Sequence, residues 1–261
     1  YTGSFIENVT IGPSPTWLQD SLTKSGQRPI NNVVDITNYV MLEYGQPMHA
    51  FKMDSIDRGI RVRRSKSGEA LTLLDQQRVT LASGTLVIAD ETQAIAIAGV
   101  MGGLSTAVSD STQQVLLEAA YFRPAAVAPR ARQMGLQTDA VYRFERGVDP
   151  HQQKRAIARA TELLTRFAGA EAGPVCEAVV SKYVPSRRRI KLRRKRLDRI
   201  LGTRIAGRSV KGGLERLHMD VQVSGSDSLV RPPSYRLDVS YEPDLIEEVA
   251  RNHTLEKLPT L

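Results

Sequence analysis

The chain has 261 residues, with 36 Lys or Arg against 28 Asp or Glu and a formal net charge of +8. This is the length of one large domain or two ordinary ones, and 41% hydrophobic residues suffice for a real core, which excludes disorder. A single cysteine, Cys176, excludes an intrachain disulfide framework and every cysteine-rich zinc site, and the longest apolar run, Ala94 to Met101, is far short of a membrane span.

The chain opens at Tyr1 without a signal-like stretch, the pattern of an internal piece of a longer cytoplasmic protein. Residues 1–27 form a lead-in with a helix predicted from Trp17 to Ser25, stopped by Gly26. Strand signals follow. Ile60 to Arg63 alternates with period two, and Leu71–Leu74 and Val79–Leu81 flank a hairpin loop at Asp75-Gln76-Gln77-Arg78. Leu86–Ala89 and Ala94–Ala98 read as strands buried on both faces. They lead into the glycine cluster Gly99-Val100-Met101-Gly102-Gly103, which serves close backbone approach, either to a neighbouring strand or to a ligand. Val115–Glu118 is a strand that delivers an acid at its end.

A long helix follows, with Asp149 as N-cap, Pro150 at its first position, apolar residues from Ile157 to Phe167 at helical spacing, and Gly169 as its stop. The Ala-, Gly-, Pro- and Ser-rich stretch 170–186 is expected to be a linker. Beyond it, 187–261 reads as a small domain. Helices around Leu197–Leu201 and Val210–His218 precede two strands at Val221/Val223 and Leu229/Val230, and Asp244 caps a last helix. Helices followed by a small antiparallel wing are the pattern of a winged-helix-like domain.

The charge is concentrated in this second part. From Arg187 to Arg216 there are thirteen Lys or Arg and two acids, Asp198 and Glu215, a net of +11, which leaves the rest at −3. Such a block suits nucleic acid, or a solvated basic face beside an acidic partner. No G-x-S-x-G elbow, phosphate-binding G-x-x-x-x-G-K-[ST] loop or H-E-x-x-H pair occurs. Of the four histidines, only His49 lies in a loop-like stretch, Gly45 to Phe51. His151 falls in the first turn of the long helix, and His218 and His253 end helices, where a cation suits the dipole.

Several long motifs add up to a family. These are Arg28-Pro29-Ile30-Asn31-Asn32-Val33-Val34-Asp35-Ile36-Thr37-Asn38-Tyr39, then Gly45-Gln46-Pro47-Met48-His49-Ala50-Phe51, and Ala98 to Gly103 with Leu116-Leu117-Glu118. Gly135 to Pro150, Pro233 to Asp238 and Asp244 to Arg251 complete them. Together they closely resemble the β subunit of bacterial phenylalanyl-tRNA synthetase, over nearly the whole chain. Only Asn252 to Pro259 departs from the family's usual Tyr-Gly-Tyr type run.

The resemblance implies an α+β chain: a β-rich editing domain with packed helices at 28–174, and a small basic winged-helix-like domain at 187–261. It implies part of a magnesium- and ATP-dependent, cytoplasmic ligase of protein biosynthesis. The editing site would hydrolyse tyrosine wrongly attached to tRNA(Phe). A pocket for phenylalanine rejects one added hydroxyl only weakly, by roughly 10²-fold in comparable cases, so a second site must demand the hydroxyl. The resemblance puts Glu118 in that role; read from the residues alone, Glu118 is also a strand-end carboxylate of a surface ion pair. It puts His49 beside the ester, to hydrogen-bond or to place water. Gly102 and Gly103 would leave room for the aminoacyl group, Thr138 and Ala140 would line the pocket, and Thr37 and Asn38 would contact the ester or the terminal adenosine.

Asp238, Asp244, Glu247 and Glu248 match magnesium-associated positions, a site expected to be weak or empty in this fragment. Asp244, Glu247 and Glu248 also read as a cap and first-turn acids of a helix. The implied partners are tRNA(Phe), the α subunit in a heterotetramer and free tyrosine or a phenylalanine analogue, with no membrane. The alternative is a non-catalytic RNA-binding or subunit-assembly module.

Overall fold

The computed structural model describes residues 1–253, and the departing tail from residue 254 onward lies outside the described residues. Two compact units divide the chain, Tyr1–Tyr183 and Val184–Leu261. Among the described residues the fold is α+β, with eight helices and sheets in which every pairing is antiparallel.

The first unit runs β1 (Thr2–Glu7), α1 (Thr16–Lys24), α2 (Asn32–Tyr44), β2 (Met48–Lys52), β3 (Arg61–Arg64), β4 (Ala70–Thr72) and β5 (Arg78–Thr80). It continues through β6 (Leu86–Ala89), β7 (Ala94–Ile97), β8 (Met101–Gly102), β9 (Val115–Ala119), α3 (Pro124–Gln133), α4 (Asp139–Arg146), α5 (Gln153–Ala168) and β10 (Glu171–Glu177). One sheet has the order β10-β1-β9-β2 and a second the order β3-β6-β7-β8, while β4 and β5 form the expected hairpin.

Alternation along the first sheet sends side chains to two cores. Ile6, Ala50, Val115 and Leu117 pack on α1, α2 and α5. Phe51, and beside it Leu116, face the other way, toward Val87, Ile95 and Ile97 of the second sheet and toward α3 and α4. His49 and Glu118 share strand parity with Phe51 and Leu116, so they open on this second core.

Three stretches differ from expectation. Gly45 to Phe51 is not a loop: only 45–47 connects, and His49 sits in β2, held against β9. The long helix starts at Gln153, not at Pro150, because the Asp149 carboxylate accepts the His151 N–H two residues on, a side-chain turn that delays the helix. β10 occupies the start of the 170–186 stretch, paired to β1 from Thr2↔Glu177 to Glu7↔Glu171.

The second unit contains β11 (Ile190–Leu192), α6 (Arg194–Leu201), α7 (Gly207–Arg216), β12 (Asp220–Ser224), β13 (Asp227–Arg231) and α8 (Glu242–His253). Its sheet, β11-β13-β12, and its three helices enclose a separate core around Leu192, Leu214, Val230 and Leu245. The last helix begins two residues before Asp244. That carboxylate accepts the N–H groups of Ser240 (2.8 Å) and Tyr241 (2.7 Å), so it caps the helix by reaching back from inside the first turn.

Candidate active site

The antiparallel register of β2 and β9 sets His49 directly opposite Glu118, so both side chains project from the same face. They line a cavity of about 80 Å³ with Gly102, Ile97, Ala140 and Phe144. Its walls thus come from β2, β6, β7, β8, β9 and α4, with β6 contributing Ile88. Gln46 fixes the entry into β2. Its amide donates to the carbonyl of Ala120 (2.9 Å), and its carbonyl accepts from Gln153 of α5 (3.0 Å).

The cavity is weakly polar, and burial governs both ionisable groups. Glu118 is 6% exposed. Burial pushes its pKa up to about 8, against a smaller downward pull from the hydrogen bond it accepts from the Tyr1 phenol. At neutral pH it is therefore mostly an uncharged carboxylic acid, not the surface ion pair that a strand-end acid also allows. Burial lowers His49 to about 4, which keeps the imidazole neutral. Its Nε2 is enclosed and has no hydrogen-bond partner, while its ring packs edge-on against Phe51 at 4.4 Å. A buried polar atom without a partner is uncommon and costs roughly 1–3 kcal/mol, and it marks where a ligand or water would be welcome. An imidazole this weakly basic orients a water or a hydroxyl better than it removes a proton.

The two glycines do different work. A Cβ on Gly102 would come 2.5 Å from Cε1 and 2.7 Å from Nε2 of His49, so the space left by the missing side chain holds the His49 ring. A Cβ on Gly103 would stand 2.5 Å from the Ile95 carbonyl oxygen, to which the Gly103 N–H donates at 2.8 Å. Gly103 therefore permits strand approach and does not line the cavity.

Of the remaining expected residues, Ala140 lines the cavity from α4. Thr138 caps that helix. Its hydroxyl accepts the Val141 N–H and donates to the Val100 carbonyl, tying α4 to the turn before β8. Thr37 and Asn38 lie on α2, where the Thr37 hydroxyl is spent on the Val34 carbonyl (2.7 Å). The structure thus brings together His49, Glu118, Gly102 and Ala140, and leaves Thr37, Asn38, Gly103 and Thr138 off the cavity wall.

Sequence reading missed Tyr1, Gln46, Ile97 and Phe144 at or behind the site.

The four acids of the second unit do not converge. Asp238 and Glu248 both pair with Arg236 (2.6 and 2.7 Å), Asp244 caps α8, and Glu247 is exposed. Among the described residues no three His, Cys, Asp or Glu side chains form a group that could hold a metal ion. As placed, these residues do not fit Mg²⁺, which needs several oxygens at one point. Much of the basic run is also answered locally: Arg193 and Arg196 pair with Glu242, Arg189 with Asp220, Lys191 with Asp227, and Arg194 with Asp198.

The comparisons with known proteins agree with this architecture. A B3/4 domain family matches residues 1–169, and a tRNA synthetase B5 domain family matches residues 190–253. The chain is thus a B3/4 domain followed by a synthetase-type B5 domain. It is 52% identical over 252 residues to the phenylalanine–tRNA ligase beta subunit of Idiomarina loihiensis, covering 96% of this chain and 32% of that one. It is 47% identical over 262 residues to the same subunit of Pseudoalteromonas translucida, covering 100% and 33%. A crystal structure of an N-terminal fragment of the phenylalanyl-tRNA synthetase beta-subunit from Pyrococcus horikoshii aligns over 97% of this chain and 70% of that one, at 13% identity and a TM-score of 0.46. The chain belongs to the phenylalanine–tRNA ligase β-subunit family, and it spans about a third of the length of the curated relatives it matches. No helix among the described residues is long and apolar enough to cross a membrane.

Proposed function

We propose that this chain is the part of a cytoplasmic phenylalanine–tRNA ligase β subunit that hydrolyses tyrosine mischarged on tRNA(Phe), working beside the α subunit of a heterotetramer. The observation that carries the reading is the cross-strand pair His49 and Glu118, both uncharged at neutral pH, on the wall of one cavity. A carboxylic acid held in an apolar wall is costly to leave unpaired. The tyrosine hydroxyl satisfies it and phenylalanine does not, and a site built this way discriminates far more strongly than a merely apolar one. Neutral His49 offers its unpartnered Nε2 to the water, or to a tRNA hydroxyl, that attacks the ester. Aminoacyl esters are labile, so orientation and modest charge stabilisation suffice without a covalent nucleophile. Magnesium carries no step in this reading.

The test is deacylation of Tyr-tRNA(Phe) and Phe-tRNA(Phe) by the parent and by Glu118→Ala. The parent should prefer the tyrosyl ester, and the variant should lose that preference while staying folded. Equal rates on both esters in the parent would overturn the reading. Tight RNA binding without hydrolysis would instead support a non-catalytic RNA-binding or assembly module. That alternative is favoured by cations of the basic run that have no acidic partner among the described residues, Lys195, Arg199, Arg204 and Arg208 among them.

A further inference from the structure

Glu118 has neighbours on both sides. Opposite it on β2 is His49, and opposite it on β1 is Gly3. Gly3 presents no side chain, and the ring of Tyr1, two residues earlier on the same face, lies over the gap: Tyr1 Cε1 is 3.8 Å from where a Cβ on Gly3 would stand. An aromatic ring laid across a cross-strand glycine is a familiar way to cover an open patch of sheet. Here it also delivers the phenol to the carboxyl, with the Tyr1 hydroxyl donating to Oε2 of Glu118 at 3.2 Å. The ring packs against the second core, and the Tyr1 backbone is pinned to the continuation of β10. Its N–H donates to the Ala178 carbonyl at 3.0 Å, and its carbonyl accepts the Ala178 N–H at 2.9 Å. Tyr1 does not line the cavity, whereas Glu118 does.

We propose that Tyr1 is a positioning residue for hydroxyl recognition: its phenol holds one oxygen of Glu118 from behind, fixing the carboxyl plane and leaving a single oxygen to meet a single substrate hydroxyl. The inference rests on the reading of Glu118 given above and adds the residue that orients it. Without Tyr1, the carboxyl could turn about its own axis and point either oxygen, or neither, at the ligand. Part of the gain from matching a tyrosine would then go to ordering Glu118.

The ionisable groups facing Glu118 are few. They are the Tyr1 phenol, just before β1, and the His49 imidazole from β2, while Ile97 of β7 and Ala140 and Phe144 of α4 bring no charge. Burial is the largest influence on the Glu118 acid, and it raises the pKa. The Tyr1 hydrogen bond is the largest opposing one, so its removal moves the titration of Glu118 upward.

The experiment uses Tyr1→Phe in the protein at its native full length, which keeps the ring over Gly3 and deletes only the hydroxyl, with Glu118→Gln alongside. The ratio of Tyr-tRNA(Phe) to Phe-tRNA(Phe) hydrolysis is followed against pH, together with the thermal midpoint. Tyr1→Phe should lower the ratio about tenfold, the scale of one hydrogen bond, and shift the pH midpoint of the tyrosyl preference upward. Glu118→Gln should abolish that pH dependence. If Glu118→Gln acts as expected but Tyr1→Phe leaves ratio and midpoint unmoved, the role given to Tyr1 is wrong while the site reading stands. The role of Tyr1 is equally wrong if Tyr1→Phe only lowers the thermal midpoint, since a merely structural ring would do that. If Glu118→Gln keeps both the preference and its pH dependence, the site reading fails and this inference falls with it.

Discussion

A buried carboxylic acid and a half-buried imidazole, both uncharged, face each other across two strands. Their protons make fold stability depend on pH with opposite signs. Glu118 titrates at about 8 in the folded protein against an ordinary value of 4.5. The stability it contributes is fully present below about 4.5 and is lost as pH rises through about 8. His49 titrates at about 4 against an ordinary value of 6.5. Its contribution is present above about 6.5 and lost as pH falls through about 4. Glu118→Gln keeps the shape and removes the proton. Its unfolding midpoint in denaturant should therefore hold steady from about pH 6.5 to about pH 8, above the range where His49 acts, while the parent's declines. Parallel curves for the two proteins would mean that Glu118 is not buried as an acid.

Elements fix which glycine matters for what. Gly103 stands against the backbone of β7, so Gly103→Ala forces two strands apart. The cost should be about 1–3 kcal/mol, read as a thermal midpoint lower by roughly 3–10 °C. Gly102 stands against the His49 ring, a side chain able to swing away. Gly102→Ala should cost less stability but, under the proposed function, reduce Tyr-tRNA(Phe) hydrolysis at least tenfold, because it displaces the His49 imidazole. Melting curves and deacylation rates for the pair check both halves, and a reversed ranking would contradict the assignment. In the second unit, Asp244→Ala removes the acceptor for two backbone N–H groups at the start of α8. It should cost about 1 kcal/mol, with Asp244→Asn recovering most of it.

At the scale of the whole molecule, each unit carries its own core and its own electrostatics. The net of +11 between Arg187 and Arg216 overstates the free charge, since acids of β12, β13 and α8 pair with much of it. Lys195, Arg199, Arg204 and Arg208 have no acidic partner among the described residues and remain available to a polyanion. Replacing these four by Gln should reduce the salt slope of RNA binding by about 0.7–0.9 for each phosphate that is no longer neutralised. The ratio of tyrosyl to phenylalanyl hydrolysis should stay unchanged, because every cavity residue belongs to the first unit. A collapse of that ratio at saturating tRNA would mean that the basic unit takes part in reading the amino acid.

Local pattern alone determined a good part of this protein. A period-two run located β3, short apolar runs located β6 and β7, the turn residues located the β4–β5 hairpin, and Gly169 marked a helix end. These signals are carried by neighbours in the chain, so they survive without knowledge of the fold. The long motifs likewise pointed to His49 and Glu118. Tertiary structure decided the rest. α2 begins with the β-branched run Val33, Val34, Ile36 and Thr37, poor helix formers that fold as a helix because Val33, Ile36 and Val40 are buried against α1 and α5. β1 and β10 are strands through their pairing with each other, and β1 also through its pairing with β9, across more than a hundred residues of chain. Charge shows the limit most plainly. In the sequence Glu118 is one acid among 28, and only the register that seats it between Gly3 and His49, in an apolar wall, makes it a neutral acid able to read a hydroxyl. The proton on a side chain depends on what surrounds it in space, and no local window of sequence contains that surrounding.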